Sequence, residues 1–316
     1  MARRLLEDAR EALAARFGGD VVFTSGGTEA DIMAIHAFGH GRRLLIGATE
    51  HDAVRSARTD AVVLPVDGNG VIDLAALEAA LRQDGPALVC LMLANNETGT
   101  IQPVAAAGAI CRGHGALMHV DAVQAAGRLP TDLRQLGADS MAVSSHKLGG
   151  PPGAGALVIA RDLTGPVLMP GGGQEKGRRG GTPPVAVIAG FAAAAAAASP
   201  DLLPWRTDIE AAAIAAGATV LGGPDRLPNT VCLALPGAAA QTQLIALDLA
   251  GVHVSAGSAC SSGKVARSHV LDAMRLGALA GEAIRVSLPW NATAADVAHF
   301  AEAYLAMSRR ISRKQA

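Results

Sequence analysis

Leu117-Met118-His119-Val120-Asp121-Ala122-Val123-Gln124 opens as a short apolar run and stops at an acid. Leu117 to Val120 has the length and residues of a buried strand, and Asp121 stands where such a strand ends. The pattern recurs on both sides. Val21 to Thr24, Leu44 to Gly47, Ala61 to Pro65, Leu88 to Leu93, Met141 to Ser144 and Ala156 to Ile159 are further short runs, separated by Ala- and Leu-rich helical stretches. Strand alternating with helix is the signature of a mostly parallel sheet covered on both faces, so the expected fold class is α/β. The chain begins inside a helix, with Leu5, Leu6, Ala9, Leu13 and Phe17 at helical period, and Asp67-Gly68-Asn69-Gly70 makes a turn ahead of a helix over Asp73 to Arg82. Ser199-Pro200, after an alanine-rich helix, marks a break. Two domains are expected, a large one over 1–199 and a smaller α+β one over 200–316. The second should hold strands at Thr219 to Leu221, Thr230 to Leu235, Val252 to Val254 and Ala283 to Ser287. Its helices should lie near Thr207 to Ala216, Gln241 to Leu249 and Ala294 to Met307.

Composition removes several functions. The 316 residues carry 27 Lys plus Arg against 28 Asp plus Glu, a formal charge of -1, so no bulk field draws the chain to nucleic acid or an anionic membrane. One Tyr and two Trp leave few surfaces on which bases could stack. Gly, Pro and charge break the apolar runs well short of the roughly 20 residues that span a bilayer, so no membrane span is expected. Cys90, Cys111, Cys232 and Cys260 contain no CxxC pair and make no disulfide framework, which fits a reducing cytoplasm. Met1 to Phe17 alternates charge along an amphipathic helix without an apolar core, so it does not read as a signal peptide.

In an open α/β sheet, ligands bind beyond the carboxyl ends of the strands. The residues just past each strand are here polar and specific. The first strand leads into Thr24-Ser25-Gly26-Gly27-Thr28-Glu29, where glycines allow close backbone approach and a hydroxyl opens a helix. That arrangement suits phosphate, but taken alone it is more often a plain helix cap. It lacks the lysine of a P-loop and the spacing of a dinucleotide fingerprint, which disfavours an ATPase or a Rossmann dehydrogenase. Gly149-Gly150-Pro151-Pro152-Gly153-Ala154-Gly155 precedes a strand instead of opening a helix, and is a turn. Later strands lead into Thr49-Glu50-His51, Asn95-Asn96-Glu97-Thr98-Gly99 and Ser144-Ser145-His146-Lys147. A lone His or Asp at a strand end is usually a structural cap. Successive clusters carrying acid, imidazole, amide and amine point instead to a cofactor pocket. A lysine, a strand-end aspartate and an anion cradle are together what pyridoxal phosphate requires: an amine for the Schiff base, an acid for the pyridine nitrogen and donors for the phosphate.

These motifs, with Gly171-Gly172-Gly173-Gln174-Glu175, Arg178-Arg179-Gly180-Gly181-Thr182 and Ser255-Ala256-Gly257-Ser258-Ala259-Cys260-Ser261-Ser262, stand in the order found in cysteine desulfurases. Those are pyridoxal phosphate enzymes of the class V aminotransferase family, with the aspartate aminotransferase-like fold (fold type I), and the chain resembles them over nearly its whole length. The Gly257-Ser258-Ala259-Cys260-Ser261-Ser262 stretch is similar to the subgroup whose long mobile cysteine loop supplies iron–sulfur assembly and tRNA thiolation.

The resemblance implies that Lys147 holds the cofactor, that Asp121 pairs with the pyridinium nitrogen and Gln124 with the ring hydroxyl oxygen, and that His51 stacks over the ring and shuttles protons. It implies that Asn96 contacts cofactor and substrate, and it places Gly27, Thr28, Ser144 and His146 at phosphate-binding positions. Thr182 matches a residue donated across a homodimer interface. Arg285 matches the residue that clamps the substrate carboxylate, a task suited to a planar bidentate fork. The implied reaction takes L-cysteine to L-alanine: Lys147 removes the α-proton, the Cys260 thiolate attacks the substrate sulfur, and a persulfide forms on Cys260. Its sulfur would pass in the cytoplasm to an acceptor such as an iron–sulfur scaffold or a tRNA-thiolation enzyme. No intrinsic metal site is implied, although Cys260 could transiently ligate an iron–sulfur cluster.

Cys260 also stands apart by its neighbours. Cys90 and Cys232 sit in apolar strand patterns, as small buried hydrophobes do, and Cys111 lies on a helical stretch without a motif. Cys260 lies among Gly, Ser and Ala, which bury it poorly and leave the backbone free to move, as a travelling nucleophile needs. His36 and His40 adjoin Gly39 and Gly41 with no HExxH pattern, and read as helix-end residues. Two departures from the family pattern stand out. The family carries a further N-terminal segment that helps build the small domain and edges the active site, and its loss would expose apolar surface. Leu288-Pro289-Trp290-Asn291 stands where the family has a Gly-Arg pair, but Arg285 is kept, so carboxylate binding is expected to survive. Two other readings stand beside the desulfurase: a selenocysteine lyase or another class V lyase, and a shortened, catalytically impaired chain that only dimerises or docks a sulfur acceptor.

Overall fold

The computed structural model describes residues 1–160, 163–197, 199–257 and 267–315, with side chains described as far as residue 312. Cys260 and its neighbours Ser258, Ala259, Ser261 and Ser262 lie outside the described residues. The chain divides into two units, Met1–Pro65, Ile72–Ala94 and Gln102–Ser199 in the first, and Val66–Val71, Asn95–Ile101 and Pro200–Ala316 in the second.

The first unit is built on strands β1 (Asp20–Thr24), β2 (Arg43–Gly47), β3 (Val62–Leu64), β4 (Ala87–Met92), β5 (Leu117–Asp121), β6 (Ser140–Ser144) and β7 (Gly155–Ile159). Its helices are α1 (Ala2–Phe17), α2 (Gly27–Phe38), α3 (Asp52–Arg55), α4 (Leu74–Leu81), α5 (Val104–Gly113), α6 (Leu133–Leu136) and α7 (Val185–Ala196). Among the described residues the strands form one sheet in the order β1-β7-β6-β5-β4-β2-β3. All run parallel except β7, which is antiparallel to both neighbours. Central β4 is buried at every position, which is why Ala87 to Met92 is a continuous apolar run rather than an alternating one. Edge strand β3 is short and leaves Val62 and Val63 exposed.

Register places the chemistry. Asp121 pairs with Met92 of β4 and Ala142 of β6, so the carboxyl end of β5 lies between two other strand ends. Helix α2 packs on the same sheet through Ala30, Met33 and Phe38, in one cluster with Leu44, Leu88 and Leu157. Its first residue must be Gly27: a Cβ there would lie 2.4 Å from Val123 Cγ2. Beside β1, Arg10 of α1 is buried against Glu175 in a two-pronged pair, Nη1 to Oε2 at 2.6 Å and Nη2 to Oε1 at 2.9 Å.

The second unit holds an antiparallel sheet in the order β10 (Ala283–Ser287), β9 (Thr230–Ala234), β8 (Thr219–Leu221), with helices α8 (Leu203–Ala215), α9 (Ala240–Asp248), α10 (His269–Ala273) and α11 (Ala294–Gln315). Its core gathers Ile209, Leu233, Leu247, Ile284 and the stacked pair Phe300 and Tyr304. Two sequence expectations need correction. Val252 to Val254 is not a strand; only Ser255 makes an isolated antiparallel bridge, to Arg285, while His253 faces solvent and pairs with Asp248. Helix α8 starts at Leu203 rather than near Thr207, because Pro204 is tolerated in a first turn.

Candidate active site

In the first unit, the residues expected to hold a cofactor lie just past the carboxyl ends of β1, β2, β5 and β6. Gly27 and Thr28 open α2, whose N-cap residue Gly26 offers no side-chain cap to the first N–H groups. That end of the helix is suited to an anion. His51 caps α3, accepting the Ala53 N–H at Nδ1 (3.1 Å), which fixes the tautomer with the proton on Nε2 of an exposed ring. Asp121 is buried, and its Oδ1 accepts the Val123 N–H at 2.9 Å. Half-buried Gln124 lies on the turn after β5.

Strand β6 ends at buried Ser144, whose Oγ lies 2.9 Å from His146 Nδ1. Burial, and then the charge of Lys147, push the His146 pKa down. Half-buried Lys147 lies in a single 3-10 turn, Ser145–Leu148, which Gly149 ends at a φ of 84°. Thr182 lines a cavity with Thr24, Ser25, Gly153 and Arg179.

Behind Asp121 is a buried acidic cluster to which sequence reasoning gave no role. Asp31 of α2 lies 3.1 Å from His119 Nε2, and His119 Nδ1 lies 2.9 Å from Ser140 Oγ. Glu50 is fully buried, with Oε1 accepting the Met92 N–H at 2.9 Å. Burial pushes the pKa of Asp31 and of Glu50 well up, and pushes His119 down to about 4, so its ring is neutral. Asp121 is pushed up to about 7, chiefly by burial and then by the charge of Asp31, while the Val123 N–H and His51 act in the opposite direction. A carboxylate in this setting is expensive unless a cation meets it.

Asn96 and Arg285 belong to the second unit. Arg285 Nη1 donates to the Asn96 carbonyl at 2.9 Å, and burial lowers the guanidinium pKa while Glu97 raises it. The buried Arg285 Nε has no hydrogen-bond partner among the described residues. Both sides of the segment that carries Cys260 are tied to this corner. Ser255 and Arg285 exchange backbone hydrogen bonds, and Ser268 Oγ donates to Glu97 Oε2 at 2.6 Å.

Comparison with known proteins gives this geometry its family. The aminotransferase class-V family model matches residues 1–300. A cysteine desulfurase of Cereibacter sphaeroides is 40% identical over 307 residues, covering 91% of this chain and 79% of its own. The chain belongs to the class V aminotransferase family, among the cysteine desulfurases. An IscS-like cysteine desulfurase of Mycobacterium tuberculosis is 38% identical, with 94% of this chain and 84% of its own covered. A NifS-like protein from Rickettsia africae superposes with a TM-score of 0.90 at 32% identity, covering 97% of this chain and 88% of its own. The fold is the pyridoxal phosphate-dependent α/β fold of these proteins.

The residues present fit the cofactor of cysteine desulfurases. Asp121 offers a buried carboxyl that a pyridinium N–H would relieve, and the open start of α2, with Ser144 and His146, offers donors for a phosphate. Sequence reading gave no role to Asp31, His119 and Glu50, the buried groups around Asp121, or to Arg128, whose guanidinium bridges the carbonyls of Gln124 and Lys147. A histidine two residues before Asp121 on the same strand is the one signal that could have shown a shared face.

Proposed function

We propose that this chain is a pyridoxal phosphate-dependent cysteine desulfurase, converting L-cysteine to L-alanine and carrying the sulfur as a persulfide on Cys260. The observation that carries this reading is the placement of Asp121, buried at the end of β5 with one oxygen held by Val123, beside the strand that ends in Ser144 and leads into Lys147.

Bound at these strand ends, pyridoxal phosphate supplies an aldehyde that condenses with amines and a ring that accepts electron density from the substrate Cα. Lys147 holds the cofactor and, once released, takes the α-proton. Asp121 would keep the ring nitrogen protonated, Gln124 would meet the ring hydroxyl oxygen, and His51 would stack on the ring and move protons. Gly27, Thr28, Ser144 and His146 bind the phosphate, with Thr182 acting across a homodimer interface. Asn96 and Arg285 bind the substrate, the guanidinium taking the carboxylate. The Cys260 thiolate forms a bond to the substrate sulfur as the carbon–sulfur bond breaks. The released electron pair goes to the substrate Cβ, which takes one proton, and the proton that Lys147 removed is replaced at Cα to give alanine.

The persulfide goes to an acceptor protein in the cytoplasm, an iron–sulfur scaffold or a tRNA-thiolation enzyme. No helix among the described residues is long and apolar enough to cross a membrane. The test is alanine release from L-cysteine by the cofactor-loaded chain, compared with release from L-selenocysteine. Equal or greater turnover of cysteine is the expected result, and turnover of selenocysteine alone would assign a lyase instead.

A further inference from the structure

Three elements that carry candidate cofactor residues are tied together by one buried polar chain. Asp31 of α2 lies one helical turn past Gly27, and His119 of β5 lies two residues before Asp121, on the same face of the strand. Ser140 of β6 pairs in register with His119 and opens the strand that ends at Ser144. The His119 ring joins all three, with Nε2 3.1 Å from Asp31 Oδ1 and Nδ1 2.9 Å from Ser140 Oγ. Asp31, His119 and Ser140 are all buried, and burial drives the Asp31 carboxyl well up and keeps the imidazole neutral. A neutral ring has one N–H, so the arrangement that fits both groups has the Asp31 O–H donating to Nε2 and Nδ1–H donating to Ser140 Oγ.

A buried polar chain adds little stability over apolar side chains of the same volume. What it adds is direction. Helix α2 packs on the sheet through apolar residues such as Ala30, Met33 and Phe38, and that attraction is non-directional, whereas hydrogen bonds fix one element against another. Pyridoxal phosphate holds its phosphate and its ring nitrogen at a set separation. The phosphate falls to Gly27 and Thr28 of α2 and Ser144 of β6, and the nitrogen to Asp121 of β5, all in one chain. We propose that Asp31 and His119 are positioning residues that set the spacing between these phosphate donors and the ring acid Asp121, so that one cofactor molecule reaches both at once. The proposal rests on the reading that α2 receives the phosphate and Asp121 the ring nitrogen.

The test compares a ligand that spans the site with two that do not. The full chain, freed of cofactor, is titrated with pyridoxal phosphate and with pyridoxal by the absorbance of the Schiff base, and with inorganic phosphate by its competition against pyridoxal phosphate. Asp31→Leu and His119→Leu break the polar chain, so that a folding defect in one leaves the other to decide, while Asp31→Asn keeps an N–H for His119 Nε2. Two linked contacts lose their joint advantage when their spacing is wrong. Both leucine variants should bind pyridoxal phosphate about tenfold or more weakly, with pyridoxal and inorganic phosphate unchanged within about twofold, and Asp31→Asn should stay within about threefold of the parent chain. A loss shared with either short ligand would overturn the proposal, because the effect would then not lie in the spacing. No loss at all, or a loss for Asp31→Asn equal to that for Asp31→Leu, would overturn it as well. A parent chain in which inorganic phosphate does not compete would overturn the phosphate assignment itself, which is a different failure.

Discussion

Arg128 holds the backbone of Lys147: its Nη2 donates to the Lys147 carbonyl at 2.7 Å, while Nη1 reaches the Gln124 carbonyl at 2.7 Å. One half-buried guanidinium thus joins the turn after β5 to the turn after β6, and burial lowers its pKa from the ordinary arginine value. Arg128→Ala frees both turns. Turnover of L-cysteine should fall by about ten- to a hundredfold, the scale of a misplaced reacting group, with helical content unchanged by circular dichroism. Unchanged turnover would show that Lys147 is held by other means.

The buried acids predict how stability changes with pH. Asp121 titrates near 7 in the folded chain and at roughly 4 when unfolded. Between those values the folded chain keeps a proton that the unfolded chain has released, so stability falls as pH rises through the window. Asp31 and Glu50 act in the same direction. The cofactor-free Asp121→Asn chain should therefore melt higher than the parent at pH 8, with the gap closing toward pH 4. Melting curves across that range check this, and a gap that widens on acidification would reverse the sign.

Removing Glu175 leaves the buried Arg10 guanidinium and the Phe23 N–H without their carboxylate. Arg10 keeps Glu7 and the Val21 carbonyl, so Glu175→Ala should cost about 1–3 kcal/mol, the usual cost of leaving buried polar groups unmatched, read from urea unfolding. A loss well under 1 kcal/mol would mean that water replaces the carboxylate.

Arg285→Lys keeps the charge and loses the fork. Initial rates should show KM for L-cysteine raised about tenfold or more and kcat changed much less, since the lost contact is to a carboxylate that does not react. An effect confined to kcat would place Arg285 elsewhere in the mechanism.

Much of the fold was legible in the sequence because parallel strands buried on both faces leave continuous apolar runs, as Ala87–Met92 shows. The site residues were legible because they come after strand ends in fixed order. What the sequence hid was pairing over distance. Nothing local marks Arg10 as the partner of Glu175, or Asp31 as the partner of His119, because each contact is made only when separate segments close on one another. Val252 to Val254 misled for the same reason: its β-branched residues fit a strand, but only Ser255 beyond it pairs with β10.

The most direct test is intact-protein and peptide mass spectrometry of the cofactor-loaded chain after incubation with L-cysteine. Cys260 should gain one sulfur atom that a thiol reductant removes, and a Lys147→Ala chain should gain none. If Cys260 remains a plain thiol while alanine accumulates, the cysteine is not the sulfur carrier and the account is wrong at its centre.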